Sequence, residues 1–271
     1  MIGVTKAQIP EHLKPALDLI VRSLQEVLGE HLIAVLLKGS LVKGDFIPRY
    51  SDVDIHVLVD HEVMEGPRSL RLKEALRIQE KLGVIRPQDY DVWQFQIFFL
   101  SPEYYPYDWS PPIPGTYILL YGKVPEDLRE REEEFYHKID LSLHRISGYI
   151  SYLLERFTDK PNGKLAEIVR LTGAILKATL YNAASLLEEK PFAVWHMPVW
   201  EVLSKWGEEL CPEGHLSNFF NGVRKEWRRV IEDPDFARFL FAEGIKSLRS
   251  LERWFDEKGR SLIPKDKVKL I

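Results

Sequence analysis

The stretch Lys38-Gly39-Ser40-Leu41-Val42-Lys43-Gly44, with Ser51-Asp52-Val53-Asp54 a few residues on, holds the residue types from which phosphate chemistry is built. Asp52 and Asp54 are two positions apart. On a strand that spacing puts both on one face, about 6–7 Å apart along the chain. Carboxylates this close repel unless a cation joins them, and oxygen ligands suit Mg²⁺ or Mn²⁺, which also bind nucleotide phosphates. Gly39 lets a ligand approach the backbone closely. The amides after it, opening a short helix, can take a phosphate, with the Ser40 hydroxyl and Lys43 ammonium as further donors. A phosphate-cradling turn beside a carboxylate pair is equipment for metal-assisted phosphoryl or nucleotidyl transfer.

These residues need elements to hold them. Leu13, Leu17, Ile20, Val21, Leu24, Val27 and Leu28 follow the helical period, and Gly29 is placed to end that helix. Leu32 to Leu37 is an unbroken apolar run, short enough for a buried strand. Val53 to Val59 reads as a second strand, with the valines and Ile55 on one face and Asp52, Asp54 and His56 on the other. Pro67 is expected to open a helix running to about Leu82, with strands over Val92–Leu100 and Thr116–Tyr121. After Pro125 the pattern turns helical. Leu128 through Phe157 keep one stripe, the Pro161-Asn162-Gly163 turn breaks it, and a second long helix carries Leu165 to Leu186. Later helices are expected over Val199–Glu209, Leu216–Ile231 and Phe236–Asp256. The expected fold is a mixed-sheet α/β (α+β) domain over residues 1–125, followed by an all-α helical bundle over 126–271.

The chain has 271 residues, 45% hydrophobic and 29% charged, enough to bury a core in each half. Its one cysteine, Cys211, excludes a disulfide scaffold and a cysteine-rich zinc site, and points to a reducing, cytoplasmic setting. No stretch reads as a signal peptide or a membrane span. Asn and Gln are scarce beside the charged residues, a bias that fits a thermophilic source. The net charge is −4 and neither half is basic, so extended nucleic-acid binding is not expected. The cluster Arg224-Lys225 and Arg228-Arg229 around Trp227 reads as a solvated helix face.

Gly39-Ser40, Gly44 and Ser51-Asp52-x-Asp54 resemble the signature of the polymerase-beta-type nucleotidyltransferases, a group that includes the aminoglycoside and minimal prokaryotic members. The resemblance implies that Gly39 and Ser40 contact a nucleoside triphosphate and that Asp52 and Asp54 ligate one or two divalent ions. It also implies that an acceptor hydroxyl attacks the α-phosphorus and expels pyrophosphate. The acceptor is then a small molecule or a protein side chain, and the helical half is expected to close the cleft. The sequence leaves the oligomeric state open, a homodimer included. The family often carries a third carboxylate on a later strand. Here Asp89 to Ile97 offers Gln94 and Gln96 in the middle and Asp91 only at the entrance. The general base is therefore open, and a catalytically degenerate nucleotide-binding or interaction module is the alternative.

Other residues carry weaker signals. His56 shares the face of Asp54 and is read as an edge or core histidine before a ligand. Phe192 to Pro198 reads as an interhelical plug before an acceptor pocket. Glu188 and Glu189 are remote candidates for a base, and Arg131 with His137 matches a helical ribonuclease spacing that arises easily by chance.

Overall fold

The computed structural model describes residues 9–106 and 109–264. Two compact units divide the chain, Met1–Glu130 and Arg131–Ile271.

In the first unit, helix α1 (Lys14–Leu28) turns its apolar stripe inward, with Leu17, Ile20, Leu24 and Leu28 buried, and leads into β1 (Leu32–Lys38). A one-turn helix α2 (Ser40–Lys43) precedes β2 (Val53–Val59). The main sheet has the order β5-β2-β1-β6, where β5 is Phe95–Leu100 and β6 is Ile118–Gly122. The central pair β1 and β2 is antiparallel, β6 runs antiparallel to β1, and β5 runs parallel to β2, so the sheet is mixed.

The sheet has a core on each face. Val35, Leu37, Val53, Ile55 and Val57 pack with the stripe of α1. Ala34, Leu36, Leu58 and Leu100 form a second cluster with Leu128, flanked by Tyr105, Trp109 and Tyr117. Burial on both faces is why β1 reads as an unbroken apolar run and not as an alternation.

Four expectations in this unit are corrected. Pro67 does not open a helix; it lies in the turn of a small hairpin, β3 (Met64–Gly66) with β4 (Ser69–Leu70), and α3 begins at Leu72 and ends at Leu82. A proline's fixed φ suits a tight turn as well as a first helical turn. The strand expected from Val92 starts at Phe95, and the one expected from Thr116 starts at Ile118, after a turn in which the Thr116 hydroxyl donates to Ile113 O. Leu128 is not helical; it belongs to the core beneath the sheet.

The second unit is helical. The single stripe expected from Leu128 to Phe157 is two helices, α4 (Glu132–His144) and α5 (Ile146–Thr158), broken at Arg145 with φ −89° and ψ 2°. No glycine or proline marks that break, so the sequence carried no stop signal there. Helix α6 (Leu165–Leu186) is followed by the short α7 (Pro191–Val194) and then α8 (Val199–Leu210). Helices α9 (His215–Glu232) and α10 (Pro234–Trp254) complete the layer. Helix α10 packs on α6 through Gly244, where a Cβ would stand 2.5 Å from Thr172 Cγ2. Among the described residues, no helix is long and apolar enough to cross a membrane.

Candidate active site

At the end of β1 the chain turns through Gly39, at φ 75° and ψ −150°, into α2. The first bond of α2 runs from Lys43 N–H to Gly39 O, 3.2 Å. The amides before it are the orphan donors that every helix start carries. Leu41 is buried and anchors the turn in the core. Gly44, in the left-handed region, closes the helix. The next loop is tied back on itself: Ile47 N–H donates to Ser51 Oγ at 2.9 Å, and Ser51 N–H to Ile47 O at 2.9 Å.

β2 then begins beside the turn. Lys38 is the register partner of Asp54 on β1, and Gln96 is its partner on β5. The Asp54 carboxylate lies against the Cα of Gly39, so that a Cβ there would stand 1.9 Å from Asp54 Oδ2. A side chain at position 39 would be strained by the positive φ and would displace the Asp54 carboxylate. The structure thus brings Gly39 and Asp54 together, with Ser40 following in the turn, Lys43 at the end of α2, and Asp52 just before β2. The donors offered at the strand entrance are carboxylate oxygens, a set suited to a hard divalent ion. The space that a Cβ would fill at Gly39 is the room the Asp54 carboxylate needs there.

Farther along, the same face becomes apolar. His56 is buried, its ring centroid 5.3 Å from those of Phe98 and Trp109. Burial holds the imidazole well below its ordinary pKa, and the charge of Lys38 pushes the same way. His56 is therefore a neutral core histidine. Lys38 itself is pushed down to about 8 by burial, an effect opposed by the charges of Asp54 and Glu130. Burial, then Glu130, raises the Tyr105 hydroxyl. Glu130 had no motif to reveal it; its charge is felt at Lys38 only because the chain returns after β6.

The remaining candidates lie elsewhere. Asp91, in the left-handed region after a short 3-10 turn, accepts from Arg49 Nε at 2.7 Å, and its carbonyl accepts from Arg49 N–H at 2.6 Å. Glu188 pairs with Lys205. In the second unit Phe192 packs on Phe135 with centroids 4.6 Å apart, and the Trp195 ring lies 5.4 Å from that of Tyr181, whose hydroxyl donates to Met197 O. That segment is an interhelical plug. Arg131 is the residue before α4 and pairs with Glu134.

One further donor group, His31, Asp60 and Glu62, has ligand atoms within 4.8 Å of one another. It sits at the opposite end of the central strands, where Leu32 pairs with Val59. Six residues of strand put it roughly 20 Å from Asp54, so it takes no part in the Gly39–Asp54 site.

A mixed sheet whose central strand enters a Gly-Ser turn, with paired aspartates at the start of the antiparallel neighbour, is consistent with a nucleotidyltransferase fold of the polymerase-beta type. Residues 17–109 match the family model described as nucleotidyltransferase domain. No curated protein matches the chain.

Proposed function

We propose that this protein transfers a nucleoside monophosphate from a nucleoside triphosphate to a hydroxyl acceptor, with Mg²⁺ or Mn²⁺ held by Asp52 and Asp54. The observation that carries the reading is the Asp54 carboxylate seated against Gly39, inside the segment that matches the nucleotidyltransferase family. Gly39 and Ser40 present backbone amides and a hydroxyl to the triphosphate, and Lys43 adds a cation to the same turn. The divalent ion, when bound, supplies charge neutralisation at the phosphates. Asp52 and Asp54 would hold it beside the turn. In the reaction a bond forms between the acceptor oxygen and the α-phosphorus. The bond from that phosphorus to the bridging oxygen breaks, and its electron pair leaves with pyrophosphate. The acceptor proton needs a base, and Gln96 beside Asp54 cannot take it. The acceptor class is a small molecule or a protein side chain, in the cytoplasm.

The place of Gln96 also motivates a second reading, a nucleotide-binding module without turnover. Incubation with each nucleoside triphosphate, Mg²⁺ and a panel of hydroxyl acceptors separates the two. Pyrophosphate release with a matching mass increase on one acceptor is expected from the transferase. Tight metal-dependent binding with no pyrophosphate from any acceptor supports the module.

A further inference from the structure

The far end of the central strand pair carries its own donor set. His31 is the last residue of the turn Gly29–His31 that feeds β1, and Asp60 is the first residue after β2. Asp60 N–H donates to His31 O at 2.9 Å, so the backbone fixes the two positions to each other. Asp60 also caps the turn His61–Val63, its Oδ1 accepting from Glu62 N–H at 2.8 Å. One ligand atom each of His31, Asp60 and Glu62 lies within 4.8 Å of the others. Bonds of about 2.0–2.2 Å put donors on opposite sides of one ion about 4 Å apart, so small side-chain rotations close this set on an ion. A separate observation concerns charge. His61 Nδ1 lies 2.6 Å from Glu103 Oε2 and 3.3 Å from Asp60 Oδ1. Three carboxylates, Asp60, Glu62 and Glu103, thus gather beside two imidazoles, and among the described residues no lysine or arginine pairs with any of the three. Grouped carboxylates repel one another, and a cation among them removes that cost.

We propose that His31, Asp60 and Glu62 bind one Zn²⁺, or another late divalent transition ion, which clips the start of β1 to the end of β2. The imidazole sets the choice of ion. The all-oxygen donors Asp52 and Asp54 suit Mg²⁺ or Mn²⁺, whereas one nitrogen with two carboxylates suits Zn²⁺. Three protein ligands leave a fourth position to water. His61 is a positioning residue: with Glu62 N–H it stands against Oδ1 of Asp60, which leaves Oδ2 to face the ion. An ion that binds the folded chain alone stabilises it, here from the end of the sheet opposite Gly39 and Asp54. The inference does not rest on the nucleotidyltransferase reading.

Calorimetric titration of ZnCl₂ into the full chain tests this, after removal of bound metal by a chelator and with Mg²⁺ in excess to fill sites that prefer it. The wild-type protein is expected to bind one Zn²⁺ and to melt at a higher temperature with it. His31→Gln, Asp60→Asn and Glu62→Gln are each expected to weaken Zn²⁺ binding at least about tenfold and to lose the rise in melting temperature. Asp52→Asn, at the other end of the strands, is expected to keep the wild-type Zn²⁺ affinity within about twofold. Melting curves in chelator check that each variant folds; Glu62→Gln, on an exposed side chain, keeps the test open if His31→Gln does not fold. Absence of Zn²⁺ binding by the wild type overturns the inference. So does unchanged Zn²⁺ affinity in a folded Glu62→Gln or Asp60→Asn, or loss of the Zn²⁺ in Asp52→Asn, which would place the ion at the nucleotide site. Failure of Asp52→Asn to affect nucleotide binding would count against the nucleotidyltransferase reading alone.

Discussion

At Gly39 two constraints coincide. The backbone is in a region that disfavours side chains, and the space a side chain would need is filled by the Asp54 carboxylate. Gly39→Ala should therefore lose stability by roughly 1–3 kcal/mol through backbone strain. It should lose nucleotide binding more completely than stability, because Asp54 must turn away; melting curves and nucleotide titration on the same sample check both. Asp91 gives the opposite case. Its partner is Arg49, both side chains are well exposed, and such a pair contributes about 0–1 kcal/mol. Asp91→Asn should leave transfer within about fivefold of wild type, whereas Asp52→Asn should lower it by about 100-fold or more. Rates for the two variants side by side test whether Asp91 has any part in holding the metal. The Gly-Ser turn and the aspartate pair were legible because their types and spacing are specific. That Lys38 and Gln96 flank Asp54 was not, because it depends on which residues lie opposite one another across strands, and no local pattern encodes that.

Elements were legible where periodicity met a breaker. Helix α1 carries a full apolar stripe and ends at Gly29, and β2 alternates cleanly on its α1-facing side. The hairpin of β3 and β4 was missed because Pro67 serves a turn as readily as a helix start. The break between α4 and α5 was missed because the stripe continues through Arg145. In the second unit, α9 and α10 are joined by a buried carboxylate. Glu243 accepts from Asn218 at 2.8 Å, from Lys246 at 2.9 Å, and lies 3.0 Å from His215 Nδ1. Burial opposes its charge, but those hydrogen bonds outweigh burial and hold its carboxyl down at about 2. A carboxyl lowered by folding stabilises the fold above its ordinary pKa of about 4.5, and that contribution is lost as the pH falls from there toward 2. Glu243→Gln should be less stable than wild type at pH 7, and its stability should fall less between pH 4.5 and 2. Denaturant unfolding at a series of pH values reads the difference.

On the scale of the molecule, two units of unlike architecture each have a core, and the recognisable chemistry lies in the first. The net charge is −4, and the paired carboxylates concentrate a local demand for cations. With neither half of the sequence basic, a long polyanion is not expected to find a basic surface of matching extent. A single-stranded oligonucleotide should therefore bind no more tightly than about 0.1 mM at physiological salt, the range of non-specific association, as fluorescence anisotropy would show. The central claim is that Asp52 and Asp54 hold a divalent ion that joins nucleotide to protein. Calorimetric titration with a nonhydrolysable triphosphate, with Mg²⁺ and after its removal by chelation, measures this on the wild-type, Asp52→Asn and Asp54→Asn proteins. The account predicts binding by the wild type that is lost on chelation and lost in both variants. Equal binding by the three proteins, or binding indifferent to the metal, would contradict it.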